Sequence, residues 1–111
     1  MDNENIDLKE FIPSSDSMLE RKIRKSKRIA LTYLVLVDFS KNRKRDRITA
    51  RLLAKEIKKS RSESWQLLSE FEDLGYLKSI TQGGSTAFMF LDVLYRERLV
   101  EEAKNTLKGD D

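Results

Sequence analysis

The fold is decided by residues 48–80, which read ITARLLAKEIKKSRSESWQLLSEFEDLGYLKSI. The pair Leu53-Ala54 and Ile57 have the three-and-four spacing of a short helix that packs on one side. A second series at helical spacing follows a tight turn and consists of Ser64, Leu67, Leu68, Phe71 and Leu74, with Gly75 as the stop. We therefore predict helices over about residues 50–58 and 61–74, preceded by a very short strand at Ile48-Thr49.

Two β-prone runs follow these helices, YLKSITQ and STAFMFLD, and the pair Gly83-Gly84 separates them. Glycine tolerates the positive φ of a tight turn, so this pattern predicts a hairpin over about residues 77–91. Asp92 can then cap a last helix over about residues 93–108, whose apolar positions are Val93, Leu99, Val100, Ala103 and Leu107.

The chain before residue 48 contains the segment LERKIRKSKRIALTYLVLVDF, which is basic in its first half and strongly apolar in its second. Asp16 and Ser17 can cap a helix here, and we predict one long helix over about residues 17–39. A buried strand is the alternative for IALTYLVLV, because β-branched and aromatic residues favour strands. Residues 1–15 show no sustained period and carry the only proline, which predicts a mobile acidic arm.

The order of these elements is helix, small strand, short helix, tight turn, longer helix, hairpin and closing helix. Four features carry a resemblance to known proteins: Leu53-Ala54, Ser60, Leu67-Leu68 and the run Leu74-Gly75-Tyr76-Leu77. With them, residues 48–91 resemble the core of winged helix-turn-helix regulators such as the MarR and PadR families. The resemblance implies a mainly α fold with a small β-hairpin as the wing, and a role in binding DNA. The wing, TQGGST, departs from many members in having no Arg or Lys at its tip.

Composition limits the function classes. The 111 residues suit one domain, here expected over residues 16–108, and 39% hydrophobic residues can supply its core. No cysteine or histidine is present, which excludes zinc fingers, disulfide frameworks and thiol or imidazole catalysis. No apolar run approaches a membrane span, and the acidic N-terminus does not resemble a signal peptide, so a cytoplasmic or nucleoid-associated protein is expected. We expect no enzyme activity, cofactor, metal, small-molecule ligand or membrane partner.

Charge is segregated along the chain. Residues 21–61 contain sixteen Lys and Arg residues against three acids, a net charge of +13, whereas residues 1–20 and 62–111 each sum to −5. A solvated surface normally mixes both signs, so this block favours a polyanionic partner over mere solubility. The sequence therefore predicts double-stranded DNA as the partner.

The helix over residues 61–74 is the predicted recognition helix for the major groove. Its apolar face fixes which side chains turn outward, and these are the predicted base contacts: Arg61, Ser62, Trp65, Gln66 and Ser69. Arginine pairs bidentately with guanine and glutamine with adenine. The predicted contacts to the DNA backbone are Lys41, Arg43, Lys44, Arg45, Arg47, Lys55, Lys58, Lys59 and Ser60, and Gly83 and Gly84 form the wing. For Trp65, folding back onto the short helix is the alternative to a DNA contact.

The first and last helices carry more apolar surface than a domain of this size easily hides, which predicts a homodimer. A monomer whose core these helices complete is the alternative. For the function itself, the alternatives are a winged-helix protein-interaction module in a transcription or membrane-remodelling assembly, and RNA binding. The sequence favours a sequence-specific DNA-binding protein that regulates transcription.

Overall fold

In a computed structural model, which describes residues 14–109, the chain is mainly helical with a small three-stranded antiparallel sheet. The elements are, in chain order, α1 (Ser14–Lys25), α2 (Lys27–Val37), a π-helical turn (Asp38–Asn42), β1 (Arg47–Ile48), α3 (Ala50–Ile57), α4 (Arg61–Asp73), β2 (Leu77–Gln82), β3 (Ser85–Phe90), a 3-10 turn (Asp92–Leu94) and α5 (Glu97–Lys108). Most of the arm predicted over residues 1–15 lies outside the described residues.

The prediction of one helix over residues 17–39 is wrong, because the helix is interrupted at Ser26. Ser26 has extended backbone angles, φ −140° and ψ 114°, and its side-chain oxygen accepts a hydrogen bond from the Ile29 backbone N–H at 3.2 Å. A serine that caps a new helix in this way ends the preceding one. The apolar run IALTYLVLV is helical, as expected, and the chain continues into a π-helical turn.

The two central helices lie where the sequence predicts them, because each has its own N-cap. The Thr49 side chain accepts from the Leu52 N–H at the start of α3, and the Ser60 side chain accepts from the Glu63 N–H at the start of α4. Between them, Lys58 adopts the left-handed conformation with φ 58°, which ends α3 and turns the chain sharply. The result is two helices joined by a turn of three residues.

The sheet has the strand order β1-β3-β2, and both strand pairs are antiparallel. β2 and β3 form the predicted hairpin, in which Leu77 pairs with Phe90 and Gln82 with Ser85. The turn between them is made by Gly83 and Gly84 with φ values of 56° and 83°, a conformation that side chains disfavour.

The prediction that the last helix begins at residue 93 is also wrong. A 3-10 turn occupies Asp92–Leu94, the backbone is extended at Tyr95 and Arg96, and α5 begins at Glu97. The cause is Tyr33 of α2, whose hydroxyl donates to the Leu94 carbonyl at 2.8 Å and accepts from the Arg96 N–H at 3.0 Å. These bonds hold the backbone in a non-helical path at the position where Asp92 was expected to cap a helix.

The core joins two groups of elements. α1, α2 and α5 pack together on one side, and α3 and α4 pack against α2 and the sheet on the other. Tyr33 lies between the groups, fully buried, with its ring stacked on Phe71 of α4. The inner face of α4 is as predicted, since Ser64, Leu67 and Leu68 are buried. Within residues 14–109, no helix is long and apolar enough to cross a membrane.

Candidate functional site

An open groove of about 540 Å³ lies between the start of α3, the start of α4 and the β2–β3 turn. α3 contributes Thr49, Ala50 and Arg51, α4 contributes Arg61, Ser62 and Trp65, and the turn contributes Gly84, Ser85 and Thr86. The groove is therefore lined by two arginines, four hydroxyl groups and one indole. The guanidinium groups, the hydroxyl groups and the indole N–H can all donate hydrogen bonds, and none of the side chains carries negative charge.

Trp65 packs against the sheet. Its ring meets Phe88 of β3 edge-on with a centroid distance of 5.2 Å, and the residue, which lines the groove, is 44% exposed. Trp65 also lines the groove beside Ala50 and Arg51 of the short helix α3. One edge of the indole is fixed by packing, which leaves the rest of the ring available as a rigid contact surface.

The remaining predicted base contacts differ in their exposure. Arg61, Ser62 and Gln66 are exposed on α4, whereas Ser69, one turn further on, is half-buried. The Ser60 hydroxyl serves as the cap of α4, so one of its lone pairs is occupied by the Glu63 N–H. The structure thus brings Arg61, Ser62 and Trp65 together in the groove.

Both carboxylates that point toward solvent near the start and middle of α4 have a partner on the N-terminal helices. Glu63 binds the Arg28 guanidinium of α2, and Glu70 binds the Lys22 ammonium of α1 at 2.8 Å. These pairs join α4 to α1 and α2, and they neutralise two of the four acids of α4. Sequence reasoning missed both pairs, because each joins residues that are 35 or 48 positions apart.

The loop cations fall into two groups. Arg43 binds Asp38 at 3.0 Å and Glu56 of α3 at 3.3 Å, which ties the loop to α3. Arg47 binds the neighbouring Asp46, and this hydrogen bond lowers the pKa of Asp46. Lys41 lies away from the groove, with its ammonium 4.4 Å from the ring centroid of Tyr95. Lys41, Arg43 and Arg47, which were predicted to contact phosphates, therefore interact with other residues of the chain.

The other cations around α3 are exposed and have no acidic partner within residues 14–109. This group consists of Lys44, Arg45, Arg51, Lys55, Lys58 and Lys59, and we call it the cation cluster. Arg51 and Lys55 lie four residues apart on one face of α3, and Arg51 also lines the groove. Sequence reasoning missed Arg51. Its position in the first turn of α3, four residues before Lys55, was the available signal.

The described residues around the groove include no thiol, no imidazole and no acidic metal-binding group. Arg61 and the cation cluster have no carboxylate pair, thiol or imidazole beside them, and no group of acids in residues 14–109 could hold a metal ion. What the arrangement offers chemically is a concentration of fixed positive charge beside a groove of hydrogen-bond donors. Such a surface attracts polyanions.

Comparison of the chain with protein-family models, with curated proteins and with solved structures finds no match. The functional proposal therefore rests on the residues of the site and their geometry.

Proposed function

We propose that this chain is a winged helix-turn-helix protein that binds double-stranded DNA with α4 in the major groove, and that it regulates transcription. In this proposal α3 and α4 are the helix-turn-helix, the β2–β3 hairpin is the wing, and β1 completes the sheet. The element order and the strand order β1-β3-β2 support it. A protein with this role works in the cytoplasm or on the nucleoid.

The observation that carries the proposal is the cation cluster. Seven of the exposed cations near the α3–α4 turn, Arg61 and the six residues of the cluster, have no acidic partner in the described part of the chain. Three basic residues of the N-terminal helices, Lys22, Arg24 and Arg28, pair with acids of α4 and α5. Positive charge that remains unpaired on one surface favours a partner that supplies phosphates.

The dimensions and chemistry of α4 suit the major groove. Its 13 residues give a helix about 20 Å long, and the major groove is about 12 Å wide, so the first two turns can enter it. Arg61 and Gln66 are the exposed side chains that can form bidentate pairs with guanine and adenine. The tip of the wing is uncharged, so we assign it contacts through the hydroxyls of Ser85 and Thr86 rather than an arginine in the minor groove.

Fluorescence anisotropy with random-sequence duplex DNA tests the proposal. We expect binding at low salt that weakens by about three orders of magnitude between 50 and 200 mM salt, because six cations neutralise six phosphates. The double variant Arg61→Ala, Gln66→Ala should bind random duplex almost as well as the wild type, since these residues are assigned to base reading. On an operator selected with the wild type, the same variant should lose most of the preference over random DNA.

A protein-interaction module is the second candidate, because Trp65 is a large apolar residue that is 44% exposed beside the groove. This function predicts no salt-dependent affinity for duplex DNA. Absence of binding at 50 mM salt would therefore reject the DNA proposal and leave the interaction module as the better assignment.

A further inference from the structure

Trp65 lies on the flank of α4 rather than on its outward side. The buried residues Leu67 and Leu68 belong to the inner side of the helix, and at about 100° per residue Gln66 lies opposite them. By the same spacing, Arg61 and Trp65 lie between these two sides, and both line the groove. The edge of a base pair that meets the outward side of α4 therefore lies opposite Gln66, whereas Trp65 lies beside the groove.

The indole of Trp65 is supported by a buried neighbour. Phe88 of β3 is fully buried, and its ring meets the indole at an interplanar angle of 73°. Trp65 itself remains nearly half exposed. A flat ring that is held by a buried ring and is still open to solvent is a preformed surface on which another flat ring can stack.

The groove around the indole is rich in hydrogen-bond donors. Arg51 and Arg61 have no acidic partner in residues 14–109, and Ser62 and Ser85 are exposed. The Thr49 hydroxyl accepts a backbone N–H as the cap of α3, which leaves its own proton available to donate. Phosphates and the carbonyl groups of nucleobases are acceptors, so the groove can donate to both parts of a nucleotide.

A base inside a duplex cannot stack on this indole. Its faces are covered by the bases above and below it, and only its edges are open in the grooves of the DNA. The indole therefore gains a stacking partner only from a base that has no pair in the duplex. The groove has room for one such nucleotide, since its volume of about 540 Å³ lies within the range of about 300 to 1,000 Å³ that is typical of small-ligand sites.

We infer that the groove binds an unpaired base of DNA, which stacks on Trp65, and that the preferred ligand is a duplex with a single-stranded tail. Arg51 belongs both to the groove and to the cation cluster, so it binds the phosphate at which tail and duplex meet. The other cations of the cluster hold the adjoining duplex. The inference rests on the proposed DNA binding for this duplex part of the ligand only. Because stacking on an aromatic side chain tolerates every base, the groove adds no sequence preference.

Anisotropy with three forms of one random duplex tests the inference. The first form is blunt, the second has a short single-stranded tail of thymidines, and the third has a tail of the same length made of abasic sites. Both tails carry the same phosphates, so a difference between them reports the bases. The wild type should bind the thymidine-tailed form about tenfold tighter than the abasic-tailed form, as expected for the stacking of one base. This ratio should be the same at 50 and 200 mM salt, because stacking releases no counterions.

Variants of Trp65 test whether the indole is the stacking surface. Trp65→Ala should bind both tailed forms equally, and Trp65→Phe should keep part of the preference because a flat ring remains. Tyr95→Ala is the matched control, since Tyr95 is an aromatic residue that is 40% exposed outside the groove, and this variant should keep the wild-type preference. Trp65 is the only tryptophan, so in the wild type the thymidine-tailed form should quench its emission more strongly than the abasic-tailed form.

Two outcomes would overturn the inference. One is a wild-type chain that binds the thymidine-tailed and abasic-tailed forms equally, a result that does not depend on any variant. The other is a Trp65→Ala variant that keeps the preference while circular dichroism shows a folded chain. Failure of the proposed function is distinguishable, because the blunt duplex would then not bind at 50 mM salt. A single strand of thymidines that still quenched Trp65 in that case would support the inference alone.

Discussion

Replacing Lys55 and Lys59 with glutamine should flatten the salt dependence of DNA binding. The cation cluster contains six side chains, and each phosphate that a cation neutralises contributes about −0.9 to the slope of log affinity against log salt. The wild-type slope is then about −5.4 and that of the variant about −3.6. Over a fourfold rise in salt, the affinity should fall by about 2,000-fold for the wild type and by about 150-fold for the variant.

The assay is anisotropy with the same random duplex at several salt concentrations between 50 and 200 mM. Arg21→Gln, Lys25→Gln is the matched control, because it removes the same charge from exposed cations of α1 that have no acidic partner within the described chain. The control should keep the wild-type slope, since these residues are assigned no phosphate. Equal flattening by both double variants would refute the reasoning, because the slope would then report net charge rather than contacts at α3.

Two further predictions concern Tyr33 and Trp65. Burial raises the pKa of Tyr33 from 10.0 to about 12, so the unfolded chain ionises this phenol first, and rising pH draws the equilibrium toward unfolding. Urea unfolding should show the wild type losing about 2 kcal/mol between pH 10 and 12, a loss that Tyr33→Phe should lack. At pH 8 that variant should be about 1 kcal/mol less stable than the wild type, because the hydrogen bonds to Leu94 and Arg96 are missing. Trp65 is the only tryptophan, so adding duplex DNA at low salt should change its emission, and an unchanged spectrum at saturation would remove Trp65 from the contact surface.

Local signals in the sequence predict most of the fold. The bounds of α3, α4 and the hairpin follow from caps and glycines, because Thr49, Ser60 and Gly75 act on backbone groups only a few residues away. The two errors have non-local or competing causes. Ser26 caps a new helix inside a continuous helical pattern, and the start of α5 depends on the hydroxyl of Tyr33, which is about 60 residues earlier in the chain.

The site is predictable only in part, because it also depends on contacts between residues that are far apart in the sequence. Helical spacing identifies the outward side of α4, and composition identifies the basic block. Which cations of that block are already paired depends on tertiary structure. Arg28 and Lys22 neutralise Glu63 and Glu70 of α4, and Arg43 joins Asp38 to Glu56. The residues of the cation cluster are among the cations of the block that have no acidic partner in residues 14–109.

The contacts between α1 and α5 have a consequence for how the chain is made. Arg24 of α1 binds Glu102 of α5 at 3.0 Å, and Arg98 of α5 binds Glu20 of α1 at 2.9 Å. The first helix that the structure describes is therefore held by the last one. A nascent chain that still lacks α5 would leave the α5-facing side of α1 and α2 without its cover. Folding during synthesis therefore cannot finish before residues 97–108 leave the ribosome, and until then the exposed apolar side of these helices is a target for chaperones.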